Sequence, residues 1–152
     1  MKLAEALIQR ADLQQTIAQM RNRLAQNARV QEGDAPNEDP QELLASMRRA
    51  IADLVSLIQR INRTNIQTAF DETRSITDAL AERDALMMER QALAGLVQAA
   101  AVQQNRYSLT EIRMVPTVDV AAFQAEVDDL SRRYRELDTQ IQALNWATDL
   151  LD

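Results

Sequence analysis

Cysteine and histidine are both absent from the 152 residues of this chain. Their absence excludes thiol nucleophiles, disulfide bonds, histidine acid/base relays and zinc sites of the usual Cys/His kind. Any catalysis would have to depend on carboxylates, Arg, Lys, Tyr, Ser or Thr. We therefore expect that the protein is not an enzyme, and the sequence predicts no catalytic residues, no cofactor and no metal site.

Glycine occurs twice, proline three times, and aromatic residues make up only 3% of the chain. Apolar residues nevertheless reach 46%, which is enough for a core. Alanine, leucine, glutamine, glutamate and arginine dominate, and all five are good helix formers. The composition therefore predicts an all-α protein built from long helices.

Positively charged residues are also fewer than negatively charged ones. The chain has 17 Lys and Arg residues and 23 Asp and Glu residues, which gives a net charge of −6. A chain of this charge repels phosphate backbones, so we expect no nucleic-acid partner. The absence of any run of about 20 apolar residues disfavours membrane insertion. The first ten residues lack the features of a signal peptide, and we expect a soluble, cytoplasmic protein.

Heptad spacing of apolar residues predicts four helical segments. The clearest seam lies in the last segment and consists of Val120, Phe123, Val127, Leu130, Tyr134, Leu137, Ile141, Leu144, Thr148 and Leu151. Such spacing by threes and fours holds one apolar seam against a partner helix. We expect a single helical domain over residues 1–152, with antiparallel coiled-coil hairpins at 1–65 and 78–152 and a break at 66–77.

Helix start signals support these boundaries. Asp39 can cap the second segment, 41–65, with Pro40 at the first helical position. The predicted seam of this segment is Leu44, Met47, Ile51, Leu54, Ile58 and Ile61, ending on Asn65. Ser75 or Thr77 is expected to cap the third helix, which should run over 78–106.

Residues 110–115 are the one stretch with strand-like alternation of apolar and polar residues. A lone strand leaves its backbone groups unpaired, so this stretch would need to pair with residues 66–70 or with another chain. The sequence therefore allows one short two-stranded β element, near 66–70 and 110–115, within an otherwise helical fold.

Apolar positions also flank the strict heptad seams, at Leu43, Val55 and Leu57 in the second segment and at Leu80, Met87 and Leu96 in the third. An apolar face wider than one seam indicates more than two helices around a core. Self-association is therefore predicted, whereas the sequence identifies no other protein partner.

Four polar residues interrupt the apolar seams: Arg10, Asn65, Arg83 and Arg90. A buried guanidinium without a partner costs several kcal/mol, so each arginine must meet a carboxylate, a carbonyl or water. One interpretation is that these residues fix the helix register and the oligomer state. The other is that they line a polar cavity for a ligand, and we favour the first.

A second polar group lies at the predicted end of the second helix, where Asn62, Arg63 and Asn65 are close in sequence. They could form an anion or nucleotide pocket, since helix ends offer backbone partners as well. The other members of this pocket would be Thr77, Asp78, Arg83 and Asp84. No glycine-rich phosphate loop accompanies them. Helix capping and surface ion pairs are the plainer interpretation, and the sequence favours it.

Several short motifs spread along the chain are shared with a known family. They are residues 1–13 (MKLAEALIQRADL), 30–33 (VQEG), 38–40 (EDP), 61–65 (INRTN), 77–84 (TDALAERD), 106–108 (RYS), 117–120 (TVDV) and 134–138 (YRELD), with Asn145 and Trp146. Together they resemble the septicolysin-like family of small bacterial proteins. The resemblance implies an all-helical, antiparallel coiled-coil protein that self-associates, and it supplies no catalytic residues. Residues 70–76 depart from the family pattern, which would place a glycine-containing turn there.

The sequence therefore favours a helical coiled-coil assembly or interaction protein that acts as a homo-oligomer and whose biochemical role is undetermined. Because some septicolysin-like proteins carry the name of a haemolysin or pore-forming toxin, the resemblance implies a membrane-active protein as an alternative. A second alternative is the binding of a small ligand at the polar cluster near 61–65 and 83–84.

Overall fold

The computed structural model describes residues 1–101 and 113–152. Four helices lie in these residues: α1 (Leu3–Gln26), α2 (Pro40–Gln67), α3 (Ile76–Ala100) and α4 (Val120–Ala147). The described ranges contain no sheet, which confirms the all-α prediction. Nor does any helix within them combine the length and the hydropathy that crossing a membrane requires.

Side-chain caps fix where α2 and α3 begin. Asp39 Oδ1 accepts a hydrogen bond from Gln41 N at 2.8 Å, and Pro40 occupies the first helical position. Ser75 Oγ accepts from Asp78 N at 3.2 Å, and the Asp78 carboxylate accepts from Ser75 N in return. The first N–H groups of a helix need acceptors that the helix itself does not supply. The cap by Asp39 is confirmed, and Ser75 is the one of the two predicted candidates, Ser75 and Thr77, that caps α3.

The chain forms two compact units. Unit 1 contains Met1–Ala69 and Ala143–Asp152, and unit 2 contains Phe70–Gln142. Unit 1 therefore holds α1 and α2, and unit 2 holds α3 with most of α4. The organisation of residues 1–152 as a single domain stays a prediction.

In unit 1, α1 packs along α2. The two helices run antiparallel, since Glu38 N donates to Asn27 Oδ1 at 3.0 Å at one end of the pair. At the other end, the backbone of Leu3 and the hydroxyl of Thr64 both bind residues near 150. Gly33, in the connector, has a φ of 91°, a left-handed conformation that favours glycine. The buried apolar side chains are Leu3, Ala4, Ala6, Leu43, Leu57, Ile61 and Leu150.

The buried stripe of α2 differs from the predicted seam. Its most buried side chains are Leu43, Leu57, Ile61 and Thr64, whereas Ile51, a predicted seam residue, is 40% exposed. α2 carries two overlapping apolar stripes that share positions 47, 54 and 61, and helical spacing alone does not say which of them α1 will cover. The placement of Ile51 in the seam is therefore wrong.

In unit 2, α3 and α4 run antiparallel. Arg83 of α3 contacts Asp138 of α4, and Arg90, one heptad later in α3, contacts Ser131, one heptad earlier in α4. The buried apolar side chains of this unit are Ile76, Ala79, Val127, Leu130 and Ile141. The last three belong to the predicted ladder of the fourth helix, which is confirmed at these positions.

The predicted ladder continues to Thr148 and Leu151, but α4 ends before both residues. Residues 148–150 instead pair with the start of the chain: Leu3 N donates to Thr148 O at 2.9 Å, and Leu150 N donates to Met1 O at 2.9 Å. The backbone groups thus find partners in a distant segment and not in a further helical turn. The helical continuation of the ladder past residue 147 is therefore wrong.

The predicted β element near 66–70 and 110–115 is absent from the part of the chain that the structure describes. Ile66 and Gln67 belong to the last turn of α2 instead, and Phe70 N donates to Arg74 O at 2.7 Å in the turn that follows. Local hydrogen bonds therefore satisfy backbone groups that a lone strand would have left open. Residues 113–115 are irregular. Residues 110–112, like the predicted end of the third helix near 106, lie outside the described ranges.

Candidate functional site

The polar residues that the sequence singled out are divided between the two units. Arg10, Asn62, Arg63 and Asn65 belong to unit 1, whereas Arg83, Asp84 and Arg90 belong to unit 2. The two groups are held by separate sets of contacts. A ligand pocket that combines residues 61–65 with 83–84 stays a prediction.

Arg83 links α3 to α4. Its Nη1 lies 2.9 Å from Asp138 Oδ1, and its Nη2 lies 3.2 Å from Asp84 Oδ1. The Arg83 side chain is only 22% exposed. Burial lowers the pKa of Arg83, but hydrogen bonds to Asp138 and Asp84 outweigh this effect, so the pKa lies above its ordinary value. This seam arginine is therefore the charged partner of an interhelical ion pair.

Arg90 binds a hydroxyl instead of a carboxylate. Its Nε donates to Ser131 Oγ at 2.6 Å, and Ser131 Oγ donates in turn to Val127 O at 2.8 Å. Two arginines one heptad apart thus meet two partners one heptad apart, which is the geometry that a register-setting role requires. That role, and any effect on the oligomer state, stays a prediction.

Thr64 joins α2 to the segment 148–152, which we term the strap. The Thr64 side chain is fully buried, and its Oγ1 donates to Arg60 O at 2.8 Å and accepts from Leu151 N at 3.0 Å. Arg60 Nε donates to Leu151 O at 3.0 Å, and Arg63 Nε donates to Asp152 O at 2.9 Å. The end of α2 is therefore bound to this chain's own strap.

Some residues of the polar cluster predicted near 61–65 bind the strap. Arg63 binds the strap, Asn65 is half-buried and Asn62 is exposed. Arg10 is half-buried on α1. The strap contact of Thr64 was not predicted, although its spacing from Leu57 and Ile61 indicates a place on the buried stripe.

Lys2 binds the strap from another side. Its Nζ lies 2.8 Å from Asp149 Oδ1 and donates to Ala147 O at 3.2 Å. The hydrogen bond from Lys2, together with its charge, holds the pKa of the Asp149 carboxyl below its ordinary value. Lys2 N also donates to Glu5 Oε2 at 2.6 Å, at the start of α1. These contacts join the start of α1 to the end of α4 and to the strap within unit 1.

The turn between α2 and α3 is built around Asp71. Its Oδ1 accepts from Thr73 N at 3.0 Å and from Arg74 N at 2.9 Å, and its Oδ2 accepts from Arg74 Nε at 2.7 Å. The Arg74 guanidinium also pairs with Glu82 and lies 5.0 Å from the centre of the Phe70 ring. Hydrogen bonds from Arg74 and Thr73 lower the pKa of Asp71 to about 2. No non-glycine residue in the described ranges has a positive φ, so this turn does not need the glycine that the resemblance implied.

Two open grooves lie in unit 2. The first, of about 360 Å³, is lined by Glu89 of α3 and by Ala125, Glu126, Asp129, Leu130 and Arg133 of α4. The second, of about 410 Å³, is lined by Leu96, by residues 99–101 and by residues 114–117. The first groove presents charges of both signs to solvent, and the second presents a mainly apolar surface. Within residues 1–101 and 113–152, no group of carboxylates is arranged to hold a metal ion.

Large apolar side chains remain exposed on the outer sides of the helices. On α2 they are Ile51, Val55 and Ile66, which are 40%, 48% and 65% exposed, and on α3 they include Met88 and Leu96. A single exposed apolar residue is ordinary, but those on α2 follow one another along one side of the helix. This side of α2 is the candidate functional site.

A solved structure of a related protein has nearly the same fold. It is the crystal structure of a functionally unknown conserved protein from Corynebacterium diphtheriae, which is 40% identical in sequence. The two structures match with a TM-score of 0.94, and the alignment covers 99% of each chain. No curated protein matches this chain.

The resemblance to the septicolysin-like family is wrong. Residues 10–150 match the sequence profile of a different family, described as a family of unknown function, DUF6847, and the Corynebacterium protein is described only as functionally unknown. The two longest motifs that suggested septicolysin, residues 1–13 and 77–84, are rich in Ala, Leu, Glu and Arg. These residues recur in unrelated helices because they favour helix formation. The haemolytic alternative loses its basis with that resemblance. The chain belongs to the family of unknown function DUF6847.

Proposed function

We propose that this protein is a helical assembly or interaction protein, built from antiparallel coiled-coil hairpins, that acts as a homo-oligomer. The observation that carries the proposal is the run of exposed apolar side chains on α2, whose other apolar stripe is buried in unit 1. Apolar surface along a helix is stabilised when a second helix covers it. The protein's function then depends on an interaction surface and not on a chemical reaction.

The size of the hydrophobic effect fits a reversible association. Complete burial of a valine or isoleucine side chain contributes about 1.5 to 3 kcal/mol, so covering the exposed halves of Ile51, Val55 and Ile66 contributes about 1 kcal/mol each. This contribution is modest, and the half-buried Leu44 and Ile58 add further apolar contact. We therefore expect a complex that dissociates measurably on dilution.

The polar residues support an interaction role because their contacts are structural. Arg83 is paired with Asp138, Arg90 with Ser131, and Arg63 with the strap. Each of these side chains therefore makes at least one hydrogen bond within its own unit. We infer that they position the helices whose outer sides make the interaction.

Energy transfer between labelled copies tests the proposal. Because the chain has no cysteine, Arg49→Cys provides one labelling site on an exposed part of α2. Mixing donor-labelled and acceptor-labelled protein should give energy transfer, and an excess of unlabelled protein should abolish it. Samples mixed in denaturant provide the background signal. If correctly folded labelled copies gave no transfer at any concentration, the proposal would fail.

A further inference from the structure

The outer side of α2 carries a continuous band of residues spaced by threes and fours. The α2 band consists of residues 44, 48, 51, 55, 58, 62 and 66, which helical geometry aligns on one side. Leu44 and Ile58 are half-buried, and the other five residues are exposed. Arg48 is the one charged residue among the seven.

Most of the charged residues of α2 lie outside this band. Glu42, Arg49, Asp53 and Arg60 lie on the opposite flank of the buried stripe, as helical spacing requires. One flank of α2 is thus a typical solvent-facing surface, and the other is apolar and open. Such an arrangement indicates that the open flank is covered in the working protein.

Counted outwards from Val55, the α2 band shows the same order of apolar and polar residues in both directions. On either side of Val55 lie first the apolar Ile51 and Ile58, then the polar Arg48 and Asn62, and last the apolar Leu44 and Ile66. A two-fold symmetric interface brings each residue against its counterpart across the axis. An antiparallel pair of these helices therefore matches apolar with apolar and polar with polar at every layer.

We propose that a second copy of this chain covers the α2 band, with its α2 antiparallel and the two-fold axis beside Val55. This inference rests on the proposed self-association and names its partner and its interface. Val55 packs against Val55 of the partner subunit, and Leu44 packs against Ile66 of the partner subunit. Arg48 donates to the amide oxygen of Asn62 of the partner subunit.

Charge selects the antiparallel arrangement over the parallel one. In a parallel pair Arg48 would lie against Arg48 of the partner subunit, and like charges within an interface repel strongly. In the antiparallel pair the two Arg48 side chains are separated by the span from position 48 to position 62, about 21 Å at the rise of an α-helix. This distance exceeds the screening length of about 8 Å at physiological salt.

Single-cysteine variants test the position of the axis, because the chain contains no cysteine of its own. Val55→Cys should give a disulfide-linked dimer under mild oxidation, since the axis brings this position close to its counterpart. Leu44→Cys and Ile66→Cys should each stay unlinked alone but should link to each other when mixed. Asp53→Cys, on the charged flank, is the matched control and should stay unlinked.

Val55→Glu supplies a measurement that does not depend on oxidation. Val55 is exposed in the single chain, so helix content should be unchanged while the dissociation constant of the dimer rises by at least about 100-fold. Arg49→Glu changes the charge more, but Arg49 lies on the other flank. This variant should therefore leave the dissociation constant of the dimer within about threefold of its native value.

The outcomes separate this interface from self-association in general. An oligomer that survives Val55→Glu and does not cross-link through Val55→Cys overturns the interface but leaves the proposed self-association standing. Self-linking of Leu44→Cys overturns the antiparallel arrangement. A native chain that is monomeric at every concentration overturns both proposals.

Discussion

Single polar side chains tie the elements of each unit together. Arg83 joins α3 to α4 through charge. Thr64 joins α2 to the strap through its hydroxyl, which donates to Arg60 O within α2 and accepts from Leu151 N of the strap. In both cases a partner offsets the cost of removing the polar group from water. Removing one partner should therefore destabilise the fold more than replacing both partners with apolar groups.

The pair of Arg83 and Asp138 provides a test of this asymmetry. Asp138→Ala leaves the 22% exposed guanidinium with Asp84 alone, and we expect the free energy of unfolding to fall by about 1 to 2 kcal/mol. The double variant Arg83→Met and Asp138→Leu should regain most of this loss, because apolar side chains fill the site without an unpaired charge. Urea denaturation followed by circular dichroism measures both effects.

Arg132→Ala is the control for that experiment. Arg132 pairs with Asp129 and Glu136 on the surface of α4, and its side chain is 53% exposed. Exposed ion pairs contribute little, so this variant should change the free energy of unfolding much less than Asp138→Ala does. A double variant less stable than Asp138→Ala would show that the charge pair itself stabilises the contact.

The hydroxyl of Thr64 should be needed for its bond to the strap. Thr64→Val keeps the shape of the buried side chain but leaves the N–H of Leu151 without its acceptor, at an expected cost of about 1 kcal/mol. Hydrogen exchange at the Leu151 amide should become faster. Thr64→Ser keeps the hydroxyl and should keep the slow exchange. Unchanged exchange in Thr64→Val would refute the importance of this bond.

At the scale of elements, the sequence predicts correctly which side of a helix is buried when that helix has only one apolar stripe. The α4 ladder is such a case, and Val127, Leu130 and Ile141 are buried where heptad spacing puts them. α2 is the opposite case, because two apolar stripes overlap on it. Which stripe α1 covers depends on the packing of a second helix, so Ile51 was assigned to the wrong contact.

Contacts between distant segments are the part that sequence spacing does not reveal. Thr64 Oγ1 accepts from Leu151 N, 87 residues away, and the strap leaves α4 to pair with residues 1–3. Heptad spacing describes side chains along one helix, whereas these bonds join backbone groups of separate segments. The predicted polar cluster at 61–65 thus includes Thr64 and Arg63, which both bind the strap.

The turn between α2 and α3 should lose stabilisation in acid. Hydrogen bonds from Arg74 and Thr73 lower the pKa of Asp71 to about 2. A carboxylate with a depressed pKa stabilises the fold above its unfolded pKa, and this stabilisation is lost as the pH falls through the folded value. The stability difference between native protein and Asp71→Asn should thus be constant above about pH 4 and shrink between about pH 4 and pH 2.

Urea unfolding at a series of pH values measures this difference. Glu72→Gln removes a neighbouring carboxylate of the same turn and is the matched control for the change in charge. If the difference between native protein and Asp71→Asn did not change between pH 4 and pH 2, Asp71 would not form the ion pair with Arg74 in solution.

At the scale of the whole molecule, the exposed apolar surface of α2 is the feature that a partner helix would stabilise by covering it. A pair of helices covers one stripe on each member, and wider apolar faces need further helices. α2 has such a wide face, with most of its charges on one flank and mainly apolar residues on the other. In the proposed oligomer, a second copy of this chain would supply the missing helices.

Self-association should make thermal stability depend on protein concentration. Mass action stabilises a folded chain that binds a second folded chain, so the melting temperature should rise with concentration. Val55→Glu should remove this dependence while leaving the low-concentration melting temperature nearly unchanged, because Val55 is exposed in the single chain. Differential scanning calorimetry over a dilution series measures it. A native melting temperature that does not change with concentration would argue against a reversible oligomer.

Sedimentation equilibrium of the native chain is the most direct test of self-association. The mass should approach a multiple of 17.2 kDa at high concentration and fall towards 17.2 kDa on dilution. Val55→Glu in the same experiment should stay near the mass of a single chain. A native mass of 17.2 kDa at every concentration would show that the protein does not self-associate.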